Sequence, residues 1–197
     1  MSWGLIVCDA PAKSFVKATK LYSGYFGCDK CSQRGKWASR LIYPESGGIE
    51  LRTNSSFREQ AQEEHHRGTS PFCCLPIDMV KQFPIDYMHQ VCLGDTKKLL
   101  LLWIRGKREV RMSAGHVNEI SGKLVALKQF IPQSFAPKPR SLSDNDRWKA
   151  TKFRQFLLYT RKIALHDILR EDLYHHFLVF SVAISILVCP SLARVHH

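Results

Sequence analysis

Residues 177–189, "FLVFSVAISILVC", form an unbroken run of apolar and small residues. Such a run either crosses a bilayer or is covered by protein. As a helix, its 13 residues span ~20 Å, against a hydrocarbon core of ~30 Å. His175 and His176 bound it on one side and Pro190 on the other. The segment therefore reads as a buried core helix, and no membrane association is expected.

A buried helix needs neighbours, and the sequence provides them. In "SAGHVNEISGKLVALKQFIP", Val117, Ile120, Leu124, Leu127 and Ile131 recur at spacings of three or four, which marks an amphipathic helix. "DRWKATKFRQFLLYTRKIAL" and "REDLYHHFLVFSVAISILV" read as two more helices. The first is expected to be capped by Asp144 or Asp146. Its Trp148, Phe156 and Tyr159 would face the core, and Lys149, Lys152 and Arg161 the solvent. "DMVKQFPIDYMHQVCLGDTKKLLLLWIRG" is expected to hold a helix on each side of the Phe83-Pro84 break, the second ending near Gly106.

The first third is different. Residues 4–8 read as a short buried strand ending in Asp9, which caps or precedes a helix in "PAKSFVKATKLY", with Phe15, Val16 and Thr19 on one side. Residues 22–26 and 37–43 read as two strands flanking a Cys-x-x-Cys pair. Residues 44–56 read as loop, and "SFREQAQEEHHRG" as a polar helix stopped by Gly68. "QSFAPKPRSLSDND" reads as a basic linker. The fold class is α+β, mainly α.

Charge narrows the partner. Across 197 residues, 29 Lys and Arg oppose 17 Asp and Glu, leaving +12 and a pI near 9.5. That excess favours an anionic partner such as nucleic acid or a membrane surface, the alternative being a basic but inert surface. The seven cysteines are odd in number, and no secretory leader is expected from the residues around Met1. A reducing compartment, nucleus or cytosol, is expected, with thiols free or metal-bound.

Four features carry chemistry. Cys28 and Cys31 follow Gly27 in a turn, where backbone N–H groups can face both sulfurs. "SQRGKW" is a poor helix start, so zinc is favoured over a redox pair, and two free buried thiols are the alternative. His65 and His66, with Cys73 and Cys74 beyond them, are the candidate partners for that zinc. Adjacent helical residues point about 100° apart, so both histidines can bind one ion only if the helix has ended there. Asp9 and Asp86 stand in apolar surroundings, as carboxylates that hold Mg²⁺ do, and the Asp86-x-x-His89 spacing places a carboxylate and an imidazole on one helical face. As structural residues, Asp9 would be a helix cap and Asp86 a turn residue. Last, "KWASRLIY" and the helix from Trp148 interleave aromatic and basic residues, a pattern that serves nucleic acid.

Taken in order, "IVCDAPAKSFVK", "GYFGCDKCSQRGKW", "EEHHRGTSP", "LPIDMVKQFPIDYMHQVCLG" and "DRWKATKFRQFLLYTRK" resemble the animal relatives of CACTA-type (En/Spm-like) DNA transposases. The resemblance implies a ribonuclease H-like core with a zinc-bearing helical insertion. Two divalent ions, Mg²⁺ or Mn²⁺, would be held by an acidic triad for DNA cleavage and strand transfer. It implies DNA as partner and an oligomeric parent enzyme. On that pattern Asp9 matches the second acid, Asp86 and His89 the Asp-x-x-His element, and Cys28 and Cys31 the knuckle, whose second pair is to be sought among His65, His66 and His89. Residues 1–22 and 148–197 would belong to the core, 23–75 to the knuckle region, 76–132 to a helical region and 133–147 to a linker. Two departures stand out. The first acid belongs on a strand ahead of this one, and Lys152 occupies the place of the third. The expectation is a truncated, catalytically inactive transposase fragment. The alternatives are a retained zinc-dependent module binding nucleic acid or protein, and an unrelated helical interaction protein.

Overall fold

The computed structural model describes residues 4–44, 47–134 and 138–195. Of the expected loop and linker, residues 45–46 and 135–137 lie outside these. The chain forms two compact units, Met1–Asp86 and Tyr87–His197. It is mainly helical, and the one sheet among the described residues has two strands.

In the first unit, α1 (Ala10–Lys17) begins at Asp9, whose carboxylate accepts from the Ala12 N–H at 2.8 Å, with Pro11 in the first turn. It ends earlier than the sequence implies, because Ala18 is left-handed (φ 52°). Of the expected apolar side, Thr19 is buried and Val16 packs against the small core, but Phe15 is 86% exposed. Lys13, Ser14 and Lys17 are buried in its place. The cause is backbone satisfaction: Lys13 donates to the Pro84 carbonyl and Ser14 to the Thr19 carbonyl.

Residues 5–8 take no regular secondary structure and are not a strand. Ile6 N–H donates to the Gln82 carbonyl at 2.7 Å, and no ladder forms. The alternation survives. Ile6 and Cys8 pack on the small core of Phe57, Ile77, Met79, Val80 and Phe83, while Leu5 and Val7 face solvent. The expected strand at 22–26 is a series of turns. Residues 37–43 are a tight hairpin rather than one strand: β1 (Lys36–Trp37) pairs antiparallel with β2 (Leu41–Ile42) across a turn in which Ser39 takes φ 61°.

The polar helix also divides. α2 (Asn54–Arg58) starts at Thr53 in a reciprocal capping box with Ser56 and stops before left-handed Gln60 (φ 53°). A 3₁₀ turn, Glu63–His65, comes next. α2 clamps the chain beyond it. Arg58 donates to the carbonyls of Cys73, Leu75 (2.9 Å) and Ile77 (2.8 Å), and Asn54 accepts from Met79 N–H at 3.0 Å. Arg58→Ala orphans three carbonyls at once. We expect it to lower stability by about 2 kcal/mol, measured by chemical denaturation of the full chain.

The segment before Pro84 contains turns only, so the helix expected there is absent. The second unit starts with a π-helix, Met88–Thr96, that continues into α3 (Lys97–Arg105) and stops at Gly106, as the sequence implies. α4 (Ala114–Leu127) is capped by Ser113 and buries Ile120 and Leu124. α5 (Ala150–Gln155) runs through a π segment, Phe156–Thr160, into α6 (Arg161–Leu165). Lys149 stands at its N-cap, not Asp144 or Asp146. Asp146 instead pairs with Arg105. A π turn holds an extra residue and rotates the helical positions after it. Tyr159 is accordingly 48% exposed and Arg161 buried, opposite to the α-helical expectation.

α7 (Glu171–Leu187) and α8 (Pro190–Val195) complete the unit. Phe177, Ser181 and Ile184 are buried, and Phe177 meets Trp103 edge-on at 5.1 Å between ring centres. Val179, Val182 and Leu187 are exposed, so α7 is buried on one face rather than all round. Among the described residues no helix is long and apolar enough to cross a membrane.

Candidate functional site

The Cys28–Cys31 loop is shaped by its neighbours. A side chain on Gly27 would sit 1.9 Å from the Leu21 carbonyl oxygen, so only glycine permits that approach. The Tyr43 hydroxyl accepts from Gly27 N–H at 3.0 Å and donates to the Gly24 carbonyl at 2.5 Å, fixing the turn. Past the turn, residues 30–32 pair with 50–52: Cys31 bridges Leu51, Ser32 N–H donates to Glu50, and Arg52 N–H to Lys30. The loop is thus held by a later segment and not by the two strands expected to flank it. Its sulfurs lie 3.2 Å apart. Burial pushes the Cys31 thiol up, as does its bond with Cys28.

Arg52 ties this loop to the histidines. It donates to the Cys28 carbonyl at 3.1 Å and to the Gln62 side chain, which in turn donates to the Ser32 carbonyl at 3.0 Å. His65 closes the 3₁₀ turn and His66 is already extended (φ −88°, ψ 153°). The helical obstacle to both rings sharing a ligand is therefore absent. Backbone bonds between residues 18–20 and 65–67 fix both positions. His65 Nδ1 lies 2.7 Å from the Phe26 carbonyl, which makes it the N–H donor and leaves the lone pair on Nε2. That Nε2 and the Nε2 of His66 are buried without partners. Burial, with Arg52 and His66 adding to it, holds the His65 imidazolium pKa down to about 4. His66 is lowered by burial, Arg52 and Lys17.

Two thiols and two buried, unpartnered imidazole nitrogens suit zinc in kind, and the Phe26 carbonyl on the far ring nitrogen is the usual support for a ligand histidine. In geometry they form two pairs. Among the described residues no three His, Cys, Asp or Glu side chains gather closely enough to hold an ion. Cys73 packs against the small core, and Cys74 is exposed with its thiol 2.9 Å from the Pro71 carbonyl.

No family model, curated protein or solved structure matches the chain. Its chemistry rests on its own residues.

The residues singled out for catalysis are dispersed in role. Asp9 caps α1. Asp86 precedes the first helical residue, Tyr87, and His89 is exposed on the π-helix. Lys152 donates to the Lys138 carbonyl, and burial together with Arg140 and Lys128 lowers its pKa.

A group that sequence reasoning missed lies beside the loop. Lys17 is fully buried, paired with Asp29, and set over the Phe57 and Phe83 rings at 4.6 and 5.3 Å. Lys30 reaches the carbonyls of Val80 (2.5 Å) and Phe83 (2.7 Å) and stands 3.7 Å from Asp29. The central Asp-Lys of the Cys-x-x-Cys motif is thus structural. The only hint in the sequence is two charged residues inside a turn already occupied by cysteines.

Proposed function

We propose that this chain is a CACTA-transposase-derived module that binds DNA through its basic surface, is braced by zinc, and performs no strand transfer itself. The observation that carries the reading is the buried pair of unpartnered imidazole nitrogens beside the Cys28–Cys31 loop, in a chain of charge +12. Cys28, Cys31, His65 and His66 would hold the ion, which supplies structural closure of the loop and no chemistry on DNA. The finer fold proposed with it is a partial ribonuclease H-like core with the zinc element as an insertion. Against catalysis stand Asp9, engaged as a helix cap, and Lys152, whose ammonium would repel Mg²⁺ where a carboxylate belongs.

The test is zinc and salt together. The reduced full chain should take up one equivalent of zinc, and chelator should lower its thermal midpoint. Cys28→Ser should abolish the uptake. Duplex DNA binding should weaken steeply with salt, since each neutralised phosphate releases counterions. A chain that takes up no zinc and is indifferent to chelator removes the metal reading. Nicking or strand transfer with Mg²⁺ or Mn²⁺ removes the non-catalytic one.

A further inference from the structure

Beside the Cys loop, the β1–β2 hairpin opens onto a cleft of about 710 Å³. Its lining includes Tyr25, Gln33, Arg34, Lys36, Trp37 and Ile49. Trp37 is 65% exposed and Tyr25 47%. A tryptophan is a large apolar surface, and leaving most of it in water is unfavourable unless a partner covers it. Trp37 lies on a ladder of only two residue pairs, opposite Leu41. Arg34 lies over the Tyr25 and Phe26 rings, 5.8 and 5.7 Å from their centres, which holds its guanidinium at the cleft. Lys36 adds a second cation, and among the described lining residues Glu50 is the one carboxylate.

Exposed aromatic rings with cations beside them suit a particular anion. In a duplex the base faces are covered by stacking and only edges and phosphates are presented; in a single strand the faces are free. An acidic peptide would use the cations but leave the rings idle. The volume lies within the ~300–1,000 Å³ usual for small-molecule sites, so one or two unstacked nucleotides match it better than a folded partner.

We propose that this cleft is a single-strand nucleic-acid site, with Trp37 and Tyr25 stacking on unpaired bases and Arg34 and Lys36 meeting the adjoining phosphates. This deepens the proposed DNA-binding function and rests on it for the class of partner.

The experiment titrates the full chain with a fluorescein-labelled 12-nucleotide single strand and with a 12-base-pair duplex at fixed salt. The Trp37→Ala and Arg34→Ala variants are treated in the same way. Circular dichroism serves as the check on folding, since both side chains are exposed. Expected is a roughly 10-fold or greater loss of single-strand affinity in Trp37→Ala, the range found for one stacked base, with duplex affinity within about 2-fold. Native tryptophan emission should fall on adding the single strand, and this quenching should largely disappear in Trp37→Phe. If the wild type binds both nucleic acids but neither variant loses single-strand affinity, the cleft assignment is overturned and the broader DNA reading survives. If the wild type binds neither nucleic acid, both fail. If an acidic peptide competes and the single strand does not, the cleft is a protein site and the proposal is wrong.

Discussion

Replacing Asp29 by Ala should destabilise the chain by about 3–5 kcal/mol, whereas Lys17→Met should leave it within about 1 kcal/mol of wild type or make it more stable. The asymmetry arises from which charge is left behind. Lys17 has no exposed surface, so without Asp29 its ammonium is buried among Phe57 and Phe83 with no counter-charge. Asp29 retains 22% exposure and has Lys30 3.7 Å away, so it tolerates losing Lys17. Methionine matches the lysine stem in length and fills the same space. A pH readout separates this from general damage. In wild type, burial already holds the Lys17 pKa below its ordinary 10.5 against the pull of Asp29. In Asp29→Ala the folded state refuses a proton that the unfolded chain accepts. The variant should therefore regain stability as pH rises toward the unfolded pKa. Denaturation midpoints of both variants at pH 7 and pH 9.5 check this.

The second large effect is acid sensitivity through His65. In the unfolded chain this group titrates near 6.5, and in the folded chain near 4. Between those values the unfolded state binds a proton that the buried ring refuses. Stability present above pH 6.5 is therefore lost as pH falls toward 4, by about 3 kcal/mol in total. Below about 4 the loss levels off. His66 is shifted in the same direction and adds to the same window. The charges facing the rings are Arg52, which deepens the shift of both, Lys17, which deepens that of His66, and Asp29, which opposes that of His65. The measurement is chemical denaturation in chelator from pH 7 to pH 4. His65→Gln should flatten most of the slope, and a variant slope equal to wild type would contradict this origin.

What the sequence discloses is governed by the range of the interactions concerned. α3, α4 and α7 are set by local periodicity and by stop or cap residues such as Gly106 and Ser113, so their existence is legible, though α4 ends at Leu127, short of the Ile131 that its spacing includes. The strands are harder. Residues 5–8 have strand-like alternation, but a strand needs a partner at a distance, and among the described residues no ladder forms beyond the Ile6–Gln82 bond. The polar helix fails through a single left-handed residue, Gln60, which no propensity marks. In the candidate site, Gly27, the two cysteines and the two histidines are visible as residue types. The Arg52–Gln62–Ser32 brace and the burial of Lys17 are not, because they join segments ten to thirty residues apart. The aromatic-basic character of "KWASRLIY" is legible, and the hairpin that exposes Trp37 is not.

The wide turn at Phe156–Thr160 bears on how this chain should be compared with any other. It accommodates one residue more than an α-helical turn without interrupting the helix, so the faces of α5 and α6 are out of step by one position. A position-by-position alignment with an uninterrupted helix would place buried Arg161 opposite a solvent-facing residue and exposed Tyr159 opposite a core one. A one-residue gap inside "FLLYT" restores the correspondence. Substitutions scored without that gap would look radical where the packing is in fact unchanged.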